Sequence, residues 1–122
     1  FAVGLDVTMQ VQMDAGAVRK RLDTWLLQPV KDFAEVWFEK RSRVTFHDPL
    51  AATTIFDDGI CRFERGTVEV ELASERVKGM THFTPGGSEP RHEVALQVNA
   101  NRFFEHYFSV LEPGITGRAP GY

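Results

Sequence analysis

The sequence predicts a mixed α/β domain: one strand, three helices, three further strands and a closing helix. Three observations carry this prediction. Apolar residues between positions 14 and 56 recur at helical spacing, whereas those between 65 and 98 alternate with polar residues. A length of 122 residues suits a single domain, and 43% hydrophobic with 25% charged residues is typical of a globular chain.

The first strand and two helices are predicted from residues 1 to 40. Residues 1–7 form a short apolar segment that is typical of a buried strand. Asp14 is the predicted N-cap of a helix that continues to about Leu27. Pro29 suits the first turn of a second helix, which we expect to end near Lys40.

The third helix is predicted in the segment HDPLAATTIF, residues 47–56. Asp48 is the predicted N-cap, and Pro49 has the fixed φ that the first helical position requires. The following DDG, residues 57–59, is turn chemistry that ends the helix.

Three strands are predicted next, at residues 66–72, 77–83 and 92–98, with a Pro/Gly loop before the last of them. We expect them to form an antiparallel meander. The apolar residues expected to face inward are Val68, Val70, Leu72, Val94, Leu96 and Val98. The first strand has no neighbour in sequence, so it either joins this sheet or pairs with sequence outside the chain.

The closing helix is predicted to begin at Asn99 or Asn101. Its core face is an aromatic stripe formed by Phe104, Tyr107, Phe108 and Leu111. Residues 112–122 are predicted to be a flexible tail.

Charge, hydropathy and cysteine content exclude several classes of function. The chain has 14 basic and 17 acidic residues without long blocks of either sign, which argues against a nucleic-acid partner. No apolar run approaches the roughly 18 residues that a membrane span requires, so no membrane partner is expected. The single Cys61 excludes an intrachain disulfide and favours a cytoplasmic protein. Its apolar neighbours favour a buried structural thiol over a nucleophile.

Candidate chemistry concentrates at His47 and Asp48. The chain contains no Gly-rich phosphate loop, CxxC pair, HExxH or GxSxG. The other histidines, His82, His92 and His106, lack metal-ligand spacing and are expected to be structural or exposed. A capping role is enough to explain an aspartate at position 48. No motif spacing by itself identifies His47 as a catalytic or metal-binding residue.

Five segments in order resemble the nucleoside hydrolases, the inosine–uridine preferring N-ribohydrolase family. GLDVTMQVQM is similar to the family's PLDVTxxV strand, and HDPLAATTIFD to its HDPxAxAxxxxP segment. RGTVEVEL and VKGMTHF resemble its paired strands, and HEVALQVNANRFFEHYFSVL its final strand and helix. The resemblance implies that the chain is the C-terminal part of the nucleoside hydrolase fold, an open, mostly parallel sheet with helices.

The resemblance also implies an activity and a cofactor. The family cleaves the N-glycosidic bond of ribonucleosides to ribose and free base, with one calcium ion that holds the attacking water and the ribose hydroxyls. Asp48 matches a carboxylate that ligates this calcium, and His47 matches a histidine near the leaving base, a candidate general acid. Trp37 and Phe38 either stack on the base or belong to a helix core. Arg41 and Arg43 either reach the base or face water.

The family's aspartate cluster, DxDPGxDD, and its central ribose-binding segment have no match in these residues. One carboxylate does not hold a calcium ion, which takes 6–8 oxygen ligands. We therefore expect further sequence upstream of Phe1, an isolated chain that is inactive, and a homo-oligomer whose exposed strand edges favour self-association. The competing hypothesis is a non-catalytic α+β binding or oligomerisation module that keeps the scaffold without the chemistry.

Overall fold

The computed structural model describes residues 1–110 and confirms the α/β class. Leu111 and the predicted tail, residues 112–122, lie outside the described residues. The elements in chain order are β1 (Ala2–Val3), α1 (Leu5–Thr8), β2 (Gln12–Asp14), α2 (Ala15–Arg21), α3 (Gln28–Phe38), β3 (Arg43–Thr45), α4 (His47–Thr53), β4 (Cys61–Val70), β5 (Thr81–Pro85), β6 (His92–Val98) and α5 (Ala100–Ser109).

The main sheet has the strand order β1-β6-β4-β5, so the predicted meander is wrong. β4 lies between its two antiparallel partners: its first half, from Cys61 to Gly66, pairs with β6, and its second half, from Gly66 to Val70, pairs with β5. The alternating pattern on which the prediction depended starts only at Gly66. It therefore missed the half of β4 that pairs with β6.

The first predicted strand is a strand only at Ala2–Val3, and Leu5–Thr8 forms a single helical turn instead. β1 pairs in parallel with β6, with Ala2 opposite Val94. The chain thus takes one of the two alternatives left open by the sequence, in which the first strand joins the C-terminal sheet.

Two predicted helix caps are confirmed by hydrogen bonds. Asp14 accepts a hydrogen bond from the Gly16 N–H at 2.7 Å and starts α2, and Asn99 accepts one from the Arg102 N–H at 3.0 Å and starts α5. Pro29 lies in the first turn of α3, as predicted. α2 ends at Arg21, six residues before the predicted Leu27.

The predicted capping role of Asp48 is wrong. α4 begins two residues earlier than predicted, at His47, with Phe46 as its N-cap residue and no hydrogen bond to a capping side chain. The Phe46 carbonyl accepts a hydrogen bond from the Leu50 N–H at 3.2 Å, and both side chains are buried in the core. Because burial of these two side chains sets where the helix starts, Asp48 lies in the first turn and not at the cap.

Several predicted inward-facing residues are exposed. Val70 is 50%, Leu72 69% and Leu96 40% exposed. Ala95, which precedes Leu96 on β6, is only 1% exposed. Side chains alternate between the two faces of a strand, so β6 turns Ala95 and not Leu96 toward the buried cluster. α1 packs against β6. An alternating pattern identifies a strand but does not decide which face is covered.

The core is an aromatic cluster between α5 and the segment that enters α4. Phe46 lies against the rings of Phe103, Phe104, Tyr107 and Phe108 of α5. A second sheet, which the sequence did not predict, consists of β2 paired antiparallel with β3. β3 ends at Thr45, directly before Phe46 of this cluster. Its hydrogen bonds fix the entry to α4, which carries the candidate site.

Candidate functional site

His47 and Asp48 are neighbours in the first turn of α4, but they line different depressions of the surface. His47 is half-buried and lines a cleft of about 420 Å³ between α3, β2 and β3, here called the His47 cleft. Asp48 is exposed and lines a separate depression of about 450 Å³ beside α5. Within the described chain, neither of these two depressions is lined by both predicted site residues.

The His47 ring is held from its Nδ1 side. Nδ1 lies 2.7 Å from the hydroxyl oxygen of Thr8, the last residue of α1, and Thr8 is 4% exposed. Thr8 is distant from His47 in sequence and was not identified as a site residue, because residues 1–7 were interpreted as a strand. Its only sequence signal is its place at the end of the LDVT segment.

One wall of the His47 cleft is aromatic and cationic. Trp37 is 54% exposed, and its indole N–H donates a hydrogen bond to the Arg43 carbonyl at 3.0 Å. The Arg41 guanidinium lies 5.8 Å from the centre of the Trp37 ring. Of the two alternatives for this residue, a helix-core role is wrong, because α3 has no buried residue.

The neighbouring aromatic, Phe38, behaves differently. It is partly buried against the core, and the Arg19 guanidinium lies 4.6 Å above its ring. Arg41 and Arg43 are exposed and both line the His47 cleft. The cleft thus combines an imidazole, an exposed indole and two guanidinium groups, which suits an electron-rich aromatic ligand with hydrogen-bond acceptors.

The described residues do not form a calcium site by themselves. Within residues 1–110 there is no group of three or more His, Cys, Asp or Glu side chains that could hold a metal ion. The Asp48 carboxylate is exposed and makes no hydrogen bond or ion pair to the residues that the structure describes. Its oxygens are available as ligands, but one carboxylate supplies at most two of the 6–8 that calcium takes.

The three other histidines are exposed or make structural contacts. His82 lies exposed on β5, and His92 accepts a hydrogen bond from the Val68 N–H at 3.0 Å. Nδ1 of His106 lies 3.8 Å from Oδ2 of Asp57. None of the three lines the His47 cleft.

Asp57 links the turn after α4 to α5. Arg102 donates two hydrogen bonds to its carboxylate, at 2.7 and 2.9 Å, and the Gly59 N–H donates a third at 3.0 Å. The Arg102 hydrogen bonds hold the pKa of Asp57 below its ordinary value, with smaller contributions from Gly59 and His106. The predicted turn residue therefore also anchors a helix.

Cys61 is 5% exposed at the start of β4, and burial raises the pKa of its thiol. A raised pKa keeps the sulfur protonated and unreactive. The predicted structural role is confirmed over a nucleophilic one. None of the helices within residues 1–110 has the length and apolar character to cross a bilayer.

Comparison with known proteins places the chain in a family. A sequence model described as inosine-uridine preferring nucleoside hydrolase matches residues 1–105. The curated inosine-uridine preferring nucleoside hydrolase of Crithidia fasciculata is 26% identical over an alignment of 121 positions, and the match covers 90% of this chain and 38% of that protein. The chain thus spans well under half the length of this relative.

Solved structures show the same fold. An inosine-guanosine nucleoside hydrolase superimposes with a TM-score of 0.72 at 18% identity, covering 88% of this chain and 37% of that one. The purine-preferring ribonucleoside hydrolase of Gardnerella vaginalis superimposes with a TM-score of 0.69 at 20% identity, covering 88% of this chain and 37% of that one. A plant nucleoside hydrolase superimposes with a TM-score of 0.64 at 18% identity, covering 90% of this chain and 40% of that one.

Proposed function

Because the chain belongs to the inosine-uridine preferring nucleoside hydrolase family, we propose that it is part of an enzyme that hydrolyses the N-glycosidic bond of ribonucleosides to ribose and free base. The observation that supports this most directly is the His47 cleft. Its volume of about 420 Å³ is in the range of small-molecule sites, and it brings an imidazole beside an exposed indole.

His47 is the residue that this cleft offers for catalysis. Glycosidic cleavage builds positive charge on the sugar and negative charge on the departing group, so a proton donor beside the base stabilises the leaving step. The Trp37 ring offers a stacking surface, and Arg41 and Arg43 offer donors to base carbonyl oxygens. A general acid of this kind contributes about 10²- to 10⁴-fold in rate.

We also propose that the complete protein requires one calcium ion and that Asp48 supplies one of its carboxylate ligands. The support is the resemblance of the HDP segment together with the unpaired, exposed carboxylate of Asp48. The remaining ligands are proposed to come from outside the described residues, since residues 1–110 provide no group of acidic side chains that could hold a metal ion. The isolated chain is accordingly expected to be inactive.

The test is nucleoside hydrolysis by the complete protein and by the 122-residue chain, each with added calcium and with chelator. We expect turnover only in the complete protein and only with calcium. Asp48→Asn removes the charge but keeps one oxygen, and should weaken calcium binding and lower turnover. Asp58→Asn, an exposed carboxylate in the turn after α4, is the matched control and should change neither. Robust turnover by the chain alone would overturn this assignment of the missing ligands.

Self-association of the isolated chain is a second proposal, supported by its surface. β1 and β5 are the edge strands of the main sheet, and apolar side chains such as Leu72 and Met80 are exposed near β5. Unpaired strand edges favour pairing with another chain. Sedimentation of the 122-residue chain should show dimers or larger species at high concentration; a clean monomer would contradict the proposal. A cytoplasmic location stays a prediction.

A further inference from the structure

We propose that Thr8 is a positioning residue for His47: the hydrogen bond between its hydroxyl and Nδ1 holds the ring so that Nε2 is directed away from Thr8. The hydrogen bond stands on the geometry alone. Its consequence for catalysis rests on the function proposed above, in which the His47 ring acts beside the leaving base.

Two hydrogen bonds meet at the Thr8 hydroxyl. Its oxygen lies 2.7 Å from Nδ1 of His47, and it also contacts the Leu5 carbonyl oxygen at 3.4 Å. A hydroxyl both donates and accepts, so the direction of the Nδ1 contact follows the tautomer of the ring. Thr8 is 4% exposed, so water competes little for either contact. The contact therefore fixes the position of Nδ1 in either tautomer.

The contact also decides which ring nitrogen is free for a ligand. Nδ1 is occupied by Thr8, so the nitrogen directed away from Thr8 is Nε2. Within residues 1–110, Nε2 of His47 has no hydrogen-bond partner, and the ring lines the His47 cleft. The ring thus presents Nε2 to a ligand in the cleft.

The contact is held by backbone on both sides, although the two residues lie 39 positions apart. The Thr8 N–H donates to the Gly4 carbonyl at 3.0 Å, and the Thr8 carbonyl accepts from the Val11 N–H at 3.0 Å. The Val11 carbonyl accepts from the Phe46 N–H at 2.9 Å, and Val11 is fully buried. Because Thr8 and Phe46, the residue before His47, are both hydrogen-bonded to the backbone of Val11, the ring is oriented before any ligand binds. Preorganisation of this kind lowers the cost of reaching the reactive geometry.

The hydrogen bond is tested by ¹⁵N NMR of the histidine-labelled protein, which reports the two ring nitrogens separately. His47→Gln identifies the His47 signals by their loss. Thr8→Val, which keeps the shape but removes the hydroxyl, should move the Nδ1 chemical shift of His47, and Thr8→Ser should restore it. An Nδ1 chemical shift that Thr8→Val leaves unchanged overturns the proposal.

The catalytic consequence is tested by a double-mutant cycle in the complete protein. Thr8→Val should lower kcat for a nucleoside by about 10- to 100-fold with little change in KM, and Thr8→Ser should recover most of it. In the His47→Gln background, Thr8→Val should cost less than about 2-fold, because the partner is gone. An equal loss in both backgrounds would show a merely structural role. If the complete protein hydrolyses no nucleoside, the proposed function fails, while the NMR result still decides the hydrogen bond.

Discussion

Replacing Phe46 with alanine should destabilise the 122-residue chain by about 3–5 kcal/mol. Phe46 is 7% exposed, and four rings of α5 surround it with centroid distances from 5.3 to 6.3 Å. All four meet it at steep interplanar angles of 64–85°, the edge-to-face arrangement that aromatic pairs favour. Phe46 is therefore the residue that joins α5 to the start of α4.

The magnitude has two parts. Returning a buried phenylalanine side chain to water costs about 1.5–3 kcal/mol. The cavity adds a comparable cost, because the surrounding rings belong to one helix and relax only partly into the space. The sum is a large share of the ~5–15 kcal/mol that holds a typical domain together. Since His47 follows Phe46 directly, the same change should loosen the candidate site.

The assay is urea unfolding followed by far-UV circular dichroism, with the slope of the transition compared between variants. The matched control is Phe33→Ala, the same substitution at a phenylalanine that is 81% exposed on α3. The control should shift the free energy of unfolding by no more than about 0.5 kcal/mol. If Phe46→Ala costs no more than Phe33→Ala, the aromatic cluster does not hold α4 and the reasoning is refuted.

Two further predictions concern α5 and the sheet. Asp57 has a lowered pKa in the folded chain, chiefly through Arg102, so its stabilising contribution is complete above its ordinary pKa of 3.8 and disappears as pH falls through the lower folded value. The difference in unfolding free energy between wild type and Asp57→Asn should therefore shrink below about pH 4, as measured by unfolding at a series of acid pH values. A difference that persists unchanged would contradict the Arg102 pairing. Asp58→Asn is the control. Gly66→Ala should destabilise the chain and weaken the β4–β5 pairing, because a Cβ there would overlap the Thr84 carbonyl oxygen. Hydrogen exchange of β5 amides measures this, and unchanged protection would show that β5 can shift away.

Local signals explain why much of the fold was predictable. Asp14 and Asn99 cap helices because each side chain reaches the backbone N–H groups of the next turn, and that chemistry is contained in a few consecutive residues. β6 was predicted with its bounds because His92–Val98 is set off by a Pro/Gly loop and a cap. The start of β4 was missed, since its apolar residues Cys61 and Phe63 lie at odd positions and are out of phase with the alternation that begins at Val68.

Strand order and exposure were not predictable in the same way, because they depend on contacts between distant residues. β4 lies between β6 and β5 because it pairs with one of them on each side, with β6 along its first half and with β5 along its second half. The exposure of Val70 and Leu72 follows from the absence of a covering layer within residues 1–110. A periodic pattern carries neither kind of information.

By itself, the sequence determined the α/β class, the family resemblance, and the choice of His47 and Asp48 as the candidate site residues. Only the tertiary structure decided that Asp48 is not the cap of α4, that the two side chains line separate depressions, and that Thr8 holds the His47 ring. The physical reason is common to all three. Residue types and caps are local, whereas the start of α4 and the orientation of its first turn are set by the burial of Phe46 and by hydrogen bonds to residues far back in the chain.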